Sequence, residues 1–321
     1  MRPRVTLLAG GVGGAKLAEG LATLCPPERL SIIGNVADDQ EFHGLWVSPD
    51  IDTLTYSLAN LIDRQQGWGL AGESHRVLAG LERLGCDTWM SLGDQDMATH
   101  IFRTQLRHQG IRPSAIAQSI AESLGVTVNL LLPTDDPVQT RVQTEQGWLA
   151  FQEYFVRERC RPEVRDVRFE GAAEARPTPE ALAAIESADI VLIAPSNPVV
   201  SIAPILAVPG IRRALETTRA VRVAVSPLIG GHTVKGPADR MLAAMGYPCS
   251  NLGVATSYAG LLDGLVIDES DRAERSPLET QGLQVMTTAT LMTDAEEKAR
   301  LAEETIAFAG SFRRKREEAE A

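Results

Sequence analysis

The sequence predicts an α/β protein with a doubly wound, mostly parallel sheet of the Rossmann-like kind, carrying a helical and antiparallel insertion. The apolar run Val5–Ala9 ends in glycines and is followed by a helix-period segment and a second apolar run, Leu30–Gly34. Short apolar runs of this kind are typical of buried parallel strands. The pattern returns after residue 178, where Ile190–Ile193 and Val221–Val225 each end in a polar turn. Two such regions can form one continuous sheet.

Composition predicts a single α/β domain over residues 1–321, since 44% hydrophobic residues are enough for one large core. A net charge of −11 without a basic stripe argues against a nucleic-acid partner. The four cysteines form no C-x-x-C pair, which predicts reduced thiols and no zinc site. The chain enters a strand at Val5 without a long apolar segment, so we predict a cytoplasmic protein without a membrane anchor.

Helical periodicity dominates the first half of the chain after the opening strand. The first helix is predicted over Ala15–Leu24 and ends at Pro26. A helical segment is predicted over about residues 50–125, with Ser114 as the cap of its last helix. The helices predicted within it are Ile51–Arg64, Glu73–Leu84, Ala98–Arg107 and Ser114–Leu124.

The second half of the sequence predicts an antiparallel insertion, followed by a further region of α/β structure. A strand over Val126–Leu132 precedes a hairpin formed by Val138–Thr144 and Trp148–Phe155, within an insertion of about residues 138–170. Thr178, followed by proline and glutamate, has the residue types of a helix start. The last helix is predicted over Ala295–Glu318.

Four glycines in five positions, Gly10, Gly11, Gly13 and Gly14, follow the first strand and precede Lys16. Glycines let a backbone approach an anion closely, and the following helix supplies amides and positive potential. The spacing is neither a P-loop nor a full G-x-G-x-x-G, because Lys16 takes the place of the third glycine. We therefore predict a phosphate-binding turn; the alternative is a tight β–α turn without a ligand.

Two later turns have the same character. Ser196 and Asn197 lie between prolines after the strand Ile190–Ile193, where they suit a nucleotide base or phosphate or, alternatively, an Asx-type turn. The turn after Val221–Val225 contains Gly230 and continues to Lys235, which is either a phosphate contact or a solvated lysine.

An acidic group comprises Asp38, Asp39, Asp50, Asp52 and Asp63. Carboxylate oxygens of Asp38 and Asp39 suit Mg²⁺, and Asp50, Asp52 and Asp63 are candidates for orienting an attacking hydroxyl. The alternative for each of the residues before a helix is simple capping.

Two further acidic turns leave the choice between function and capping open. Asp94 and Asp96 follow Gly93 and precede His100, which by itself is more often structural than catalytic. Asp135 and Asp136 lie between two prolines and suit turn chemistry equally well. No nucleophile–base order typical of hydrolases stands out, which favours group transfer by positioning and charge neutralisation.

Taken in order, these motifs resemble the 2-phospho-L-lactate transferase family, which acts in the biosynthesis of the deazaflavin coenzyme factor 420. The resemblance runs from about residue 5 to residue 272, and six motifs in sequence are far more specific than any one of them. The residues that carry it are the segments 9–17, Asn35 with Asp38 and Asp39, 48–53, 92–100, 135–138, 195–198 and 226–231.

The resemblance implies a guanosine diphosphate (GDP)-linked phospho-acid as donor and the ribityl hydroxyl of the deazariboflavin Fo as acceptor, with release of GMP. The acid is 2-phospho-L-lactate or a phosphoenolpyruvate or phosphoglycerate analogue, and Mg²⁺ neutralises the diphosphate. Asp52, Ser91 and Asp94 are implied as deazaflavin contacts, and Ser91 stands where family members often carry a basic residue. A homodimer is also implied.

The resemblance assigns the nucleotide to the glycine turn and the Ser-Asn-Pro turn, which are expected to face each other. The residues implied in its binding are Gly10, Gly11, Gly13, Gly14, Lys16, Asn35, Ser196, Asn197 and Gly230.

Two alternatives remain at this point. A non-enzymatic, nucleotide-sugar-binding regulator of the related gluconeogenesis-factor family shares the glycine turn and the Ser-Asn-Pro turn. An NAD(P)-dependent oxidoreductase is disfavoured by the missing third glycine and by Asn35, which stands where an acid is expected.

Overall fold

A computed structural model describes residues 2–320, with side chains described through residue 312. Seven parallel strands form the main sheet, in the order β14-β13-β10-β9-β1-β2-β5. Two short hairpins and a three-stranded antiparallel sheet make up the rest. The strands are β1 Val5–Ala9, β2 Leu30–Gly34, β3 Gln40–Phe42, β4 Leu45–Val47, β5 Asn129–Leu131, β6 Gln139–Thr144, β7 Gly147–Ala150, β8 Asp166–Glu170, β9 Ile190–Ile193, β10 Val221–Val225, β11 Leu228–Ile229, β12 His232–Thr233, β13 Gly264–Asp268 and β14 Gln284–Thr288.

The predicted fold class is confirmed by the order and direction of these strands. β1 pairs in parallel with β2 on one side and with β9 on the other, so that Leu7 lies between Ile32 and Leu192. The chain runs outward from β1 to β2 and β5, then returns to β9 and runs outward the other way. The crevice between the carboxyl ends of β1 and β9 is therefore the topological switch point, where open α/β sheets bind ligands.

Helices cover both faces of the sheet. Successive residues of β1 alternate between two hydrophobic clusters, Leu7 and Ala9 joining one and Leu8 the other. One cluster includes apolar residues of α1, α2, α5 and α12, and the other includes residues of α6, α7, α8 and α10. The helices are α1 Gly11–Leu24, α2 Pro49–Leu58, α3 Arg76–Arg83, α4 Asp94–His108, α5 Pro113–Ser123, α6 Pro179–Glu186, α7 Ala203–Ala207, α8 Ile211–Thr217, α9 Ala238–Ala244, α10 Asn251–Ser257, α11 Arg275–Thr280 and α12 Ala295–Glu320.

Some predicted boundaries are wrong, for identifiable reasons. Helix α1 begins at Gly11 and not at Ala15, so the glycines form its first turn. Helix α2 ends at Leu58, well before Arg64, because Asn60 takes a left-handed backbone conformation with φ 59°.

Two more observed boundaries differ from the predicted ones because of side-chain hydrogen bonds to backbone amides. Helix α5 begins at Pro113, and Ser114 is not its cap, since the Ser114 amide donates instead to Asp135 Oδ1 at 2.7 Å. Strand β7 ends at Ala150, whose amide donates to Glu153 of the helical turn that follows. Thr178 caps α6 as predicted, accepting from Ala181 N at 3.2 Å.

Within the described residues, no single helix is long and apolar enough to cross a membrane. A pair formed by 198–207 and 211–217 meets the length and composition test only jointly, with an 88° bend between its halves.

Candidate functional site

The glycine segment and the Ser-Asn-Pro turn meet at the switch point. Ser196, which follows β9, accepts a hydrogen bond from Gly10 N at 3.2 Å and donates its hydroxyl hydrogen to Gly10 O at 2.7 Å. This pair of bonds joins the ends of β1 and β9 although the two residues are 186 positions apart. The two facing turns expected from the sequence are thus one continuous crevice floor.

Close packing explains why this floor is made of glycine. A Cβ placed on Gly13 would collide with the carbonyl oxygen of Pro195, and one on Gly14 would lie 2.8 Å from Ser196 Oγ. A Cβ on Gly10 would lie 2.6 Å from Asp50 Oδ2, and Gly11 has φ +62°, which favours glycine. Gly11 and Gly13 nevertheless remain partly accessible. The backbone at the start of α1 is therefore open to a ligand.

Gly13→Ala is expected to weaken nucleotide binding and to destabilise the fold by about 1–3 kcal/mol, since backbone must move to admit the methyl group. The matched control is Gly80→Ala in α3, where a Cβ meets nothing within 4 Å. That change should stabilise the protein by up to about 1 kcal/mol. Urea unfolding of both variants measures the difference; equal stability of the two would contradict this packing.

Asn35 ties the end of β2 to both neighbouring segments. Its buried amide donates to Asp50 Oδ2 at 3.0 Å and to Val200 O at 3.3 Å, and its oxygen accepts from Ala37 N at 3.0 Å. Asp50 also accepts a hydrogen bond from the Gly11 backbone. The side chain of Asn35 thus holds Asp50 against the glycine segment.

Three carboxyl groups at this edge are hard to ionise. Burial, and then the charge of Asp50, raise the pKa of Asp38 well above its ordinary value. Burial raises the pKa of Asp50 to about 6 and that of Asp39 to about 7. Perturbed carboxyl groups in a cleft mark a candidate functional site.

Two oxygens of this acidic group have no partner. Among the described side chains, Asp38 Oδ1 and Asp39 Oδ1 are buried without a hydrogen bond. The other oxygen of Asp39 accepts from Trp46 Nε1 at 3.1 Å and from Ser48 Oγ at 2.7 Å. Buried polar atoms are usually satisfied, so these two unpartnered oxygens make Asp38 and Asp39 candidates for holding a ligand.

Asp52 lies in a separate, buried network. Arg103 Nη1 donates to Asp52 Oδ2 at 3.1 Å, and Arg103 Nη2 forms a second bond to Oδ1. Arg103 Nη1 also lies 3.2 Å from His100 Nδ1, which must accept, so Nε2 carries the hydrogen and faces Asp96 Oδ2 at 3.3 Å. The Tyr56 hydroxyl donates to Asp96 Oδ1 at 2.6 Å.

This network satisfies its own charges. Ligand atoms of Asp52, Asp96 and His100 lie within 4.8 Å of one another, close enough for a metal ion. The buried guanidinium of Arg103 already supplies the positive charge there, and it would repel a second cation. The cluster is therefore explained as an ion-pair network that holds α2 against α4.

The remaining carboxylate and hydroxyl candidates have local partners. Asp63 accepts from Gln65 N at 2.8 Å and from Gln66 N at 3.1 Å, which fixes a turn. Asp94 accepts from Val77 N at 3.1 Å and so caps α3, while Ser91 Oγ lies 3.2 Å from His75 Nε2. Within the described part of the chain, none of the three candidates is hydrogen-bonded to the Asp38 and Asp50 group.

Three further residues predicted to bind the nucleotide lie outside the crevice floor. Lys16 donates to Met292 O at 2.7 Å, and burial lowers its pKa. Asn197 Oδ1 accepts from Val199 N at 2.9 Å, which caps the helical turn after β9. Gly230, with φ 60°, occupies the two-residue turn of the β11–β12 hairpin.

Sequence reasoning missed Arg103, which joins the candidates Asp52 and His100 in one network. Asp96, His100 and Arg103 follow one another at spacings of four and three, which places them on one face of a helix. That spacing was a usable signal for a buried network. Glu73, which accepts from Gln95 N at 2.9 Å and caps α4, carried no such signal.

The model of the protein family 2-phospho-L-lactate transferase CofD matches residues 5–306. The chain belongs to the CofD family. The 2-phospho-L-lactate transferase of Methanosarcina mazei is 37% identical over 297 residues, covering 92% of this chain and 97% of that relative. The phosphoenolpyruvate transferase of Kitasatospora aureofaciens is 40% identical over 317 residues, covering 97% of this chain and 99% of that relative. The family resemblance seen in the motifs is confirmed, and this CofD-family protein is a transferase.

Similarity to solved structures supports the fold. A crystal structure of a UPF0052 family member from Bacillus halodurans matches with a TM-score of 0.62, covering 95% of this chain and 99% of that chain. At 17% sequence identity this match shows a shared architecture and carries no statement about activity. The CofD-family chain therefore shares its overall fold with that protein.

Proposed function

We propose that this chain transfers a phospho-acid from a GDP-linked donor to the ribityl hydroxyl of the deazaflavin Fo, with release of GMP, in coenzyme factor 420 biosynthesis. The observation that carries the proposal is the crevice itself. In a chain of the CofD family, the open start of α1 and the buried group Asp38 and Asp50 meet at the switch point of the sheet.

The glycine floor supports diphosphate binding. Backbone amides at the start of a helix favour phosphate, and Gly11 and Gly13 leave that backbone accessible. The side chains of Asn35, Ser196 and Asn197 are hydrogen-bonded within the protein, so we assign them to shaping the crevice and not to direct phosphate contact.

The residues present fit a divalent cation. Asp38 and Asp39 each offer a buried carboxylate oxygen without a partner, and oxygen is the ligand that Mg²⁺ prefers. Bound by these two residues, Mg²⁺ would neutralise part of the diphosphate charge. A cation there would also offset the charge of Asp50, which together with burial disfavours the ionised form of Asp38.

Asp50 suits the role of base. The acceptor hydroxyl oxygen forms a bond to the phosphorus that carries the acid, the bond from that phosphorus to the GMP oxygen breaks, and the hydroxyl proton passes to a carboxylate. A group with a pKa of about 6 is largely ionised at neutral pH and still basic enough to accept that proton. Asp52 is ion-paired with Arg103 and Asp63 is bonded within a turn, so their direct roles stay predictions.

The test is mass spectrometry of the product formed from Fo, Mg²⁺ and each candidate GDP-linked acid. We expect GMP and a phosphorylated deazaflavin with one acid strongly preferred; relatives named for lactate and for phosphoenolpyruvate are similarly close, at 37% and 40% identity. Tight binding of a UDP-sugar with no binding of GDP would overturn the proposal in favour of a regulator. A homodimer stays a prediction, and light scattering of the purified chain tests it.

A further inference from the structure

Lysine is rare in this chain and concentrated at one place. Four of the 31 basic residues are lysines, and Lys16 interacts electrostatically with both Lys235 and Lys298. Lys298 is buried and paired with Glu19 at 2.7 Å. Within the described residues, neither Lys16 nor Lys235 forms a salt bridge; each ammonium donates to a backbone carbonyl, Met292 O at 2.7 Å and Gln66 O at 2.8 Å. Among the residues that the structure describes, these two ammonium groups thus have no direct ion pair, although the charge of Glu19 acts on Lys16.

Lys235 lies in the segment between the β11–β12 hairpin and α9. We call residues 230–237, which comprise the hairpin turn, β12 and the connection to α9, the strap. The first residue of the strap is held in place, because Gly230 N donates to Asp271 Oδ2 at 3.1 Å. Its far end reaches the loop at Gln66 and Gly67. A Cβ built on Gly67 would lie 3.0 Å from Val12 Cγ1 and 3.3 Å from Lys235 Nζ. The ammonium is therefore held beside the first turn of α1.

We propose that Lys235 binds a phosphate oxygen of the nucleotide donor. The inference rests on the proposed function and identifies a binding residue within it. The exposed Lys235 ammonium is bonded to one uncharged carbonyl oxygen, whereas a phosphate oxygen would supply a full opposite charge as well as an acceptor.

The experiment compares GDP binding by calorimetry in three variants. Lys235→Met should weaken the affinity about tenfold, a change of about 1.4 kcal/mol, while Lys235→Arg should stay within about threefold of the parent protein. Arg240→Met is the control, because it removes an exposed positive charge from the adjoining helix α9. It should leave the affinity within about twofold.

Proteolysis supplies a second readout that a purely structural role would not alter. Trypsin cleaves after Lys235, and saturating GDP should protect the Lys235–Gly236 bond in the parent protein. If the parent protein binds no GDP, the proposed function fails, and this inference with it. If the parent binds GDP while Lys235→Met binds equally well, or if GDP gives no protection at Lys235, this inference alone is overturned.

Discussion

Replacing Asp38 by Asn is expected to lower the transfer rate by about a thousandfold and, at neutral pH, to stabilise the fold. The rate should fall because several kcal/mol of charge stabilisation is lost with the proposed cation. Stability should rise because the change removes a buried carboxyl group that burial and the Asp50 charge both disfavour in its ionised form. Opposite effects on activity and stability are typical of residues kept for function.

The pH dependence follows from the direction of these shifts. In the unfolded chain these carboxyl groups titrate near 3.8, whereas the pKa of Asp50 in the folded protein is about 6. Between those values the folded state binds more protons, so the free energy of unfolding falls as pH rises through this window. For Asp50 alone the effect is on the order of 3 kcal/mol. The gain from Asp38→Asn should therefore be present at pH 7.5 and absent below pH 3.8.

Thermal unfolding with and without Mg²⁺, together with the transfer assay, measures both effects. Mg²⁺ should raise the unfolding temperature of the parent protein and not that of Asp38→Asn. Asp136→Asn is the matched control, since hydrogen bonds from Arg176 lower the pKa of Asp136 and the stability change should have the opposite sign. Full activity of Asp38→Asn, or an unaltered Mg²⁺ effect, would remove Asp38 from the site.

Replacing Arg103 by Met is expected to destabilise the protein by about 3–5 kcal/mol. Arg103 is buried and forms two bonds to the buried carboxylate of Asp52. Removing one partner of such a pair leaves an uncompensated charge, which costs far more than the net value of the pair. His100 Nδ1 would lose its donor at the same time.

Equilibrium unfolding in urea measures this loss, and two further variants establish its origin. Arg107→Met is the control, because Arg107 is half-buried and stacks on Trp46 with 4.0 Å between guanidinium carbon and ring centre. It should cost about 1 kcal/mol. Adding Asp52→Asn to Arg103→Met should recover part of the stability, since the buried charge is then absent. Additive losses in the double variant would show that the two residues are not coupled.

The sequence was informative about the sheet because buried parallel strands leave a local signal. Four strands were predicted at their observed bounds, namely Val5–Ala9, Leu30–Gly34, Ile190–Ile193 and Val221–Val225. Their arrangement along the chain indicated the fold class. Helix ends were predicted less well because the groups that terminate a helix often come from elsewhere in the chain. Asp135 at the start of α5 is such a case.

In the candidate site, too, some features could be predicted from local sequence and others depended on distant contacts. The glycine segment and the Ser-Asn-Pro turn are each contiguous in sequence, the acidic group falls within residues 38–63, and their residue types identified the family without any knowledge of contacts. The roles within each group were not readable in this way. Ser196 bonds to Gly10 across 186 residues, and Asp38 and Asp39, though adjacent, have different surroundings.

By itself the sequence determined four strands of the main sheet, the carboxyl-end turns that follow them and the family, because backbone preference and burial pattern act over a few residues. Only the tertiary structure decided which carboxyl group is paired, which is orphaned and which lysine reaches the glycine segment. Those outcomes depend on charges and hydrogen-bond partners brought together from distant parts of the chain, and their energies change steeply over a few ångströms.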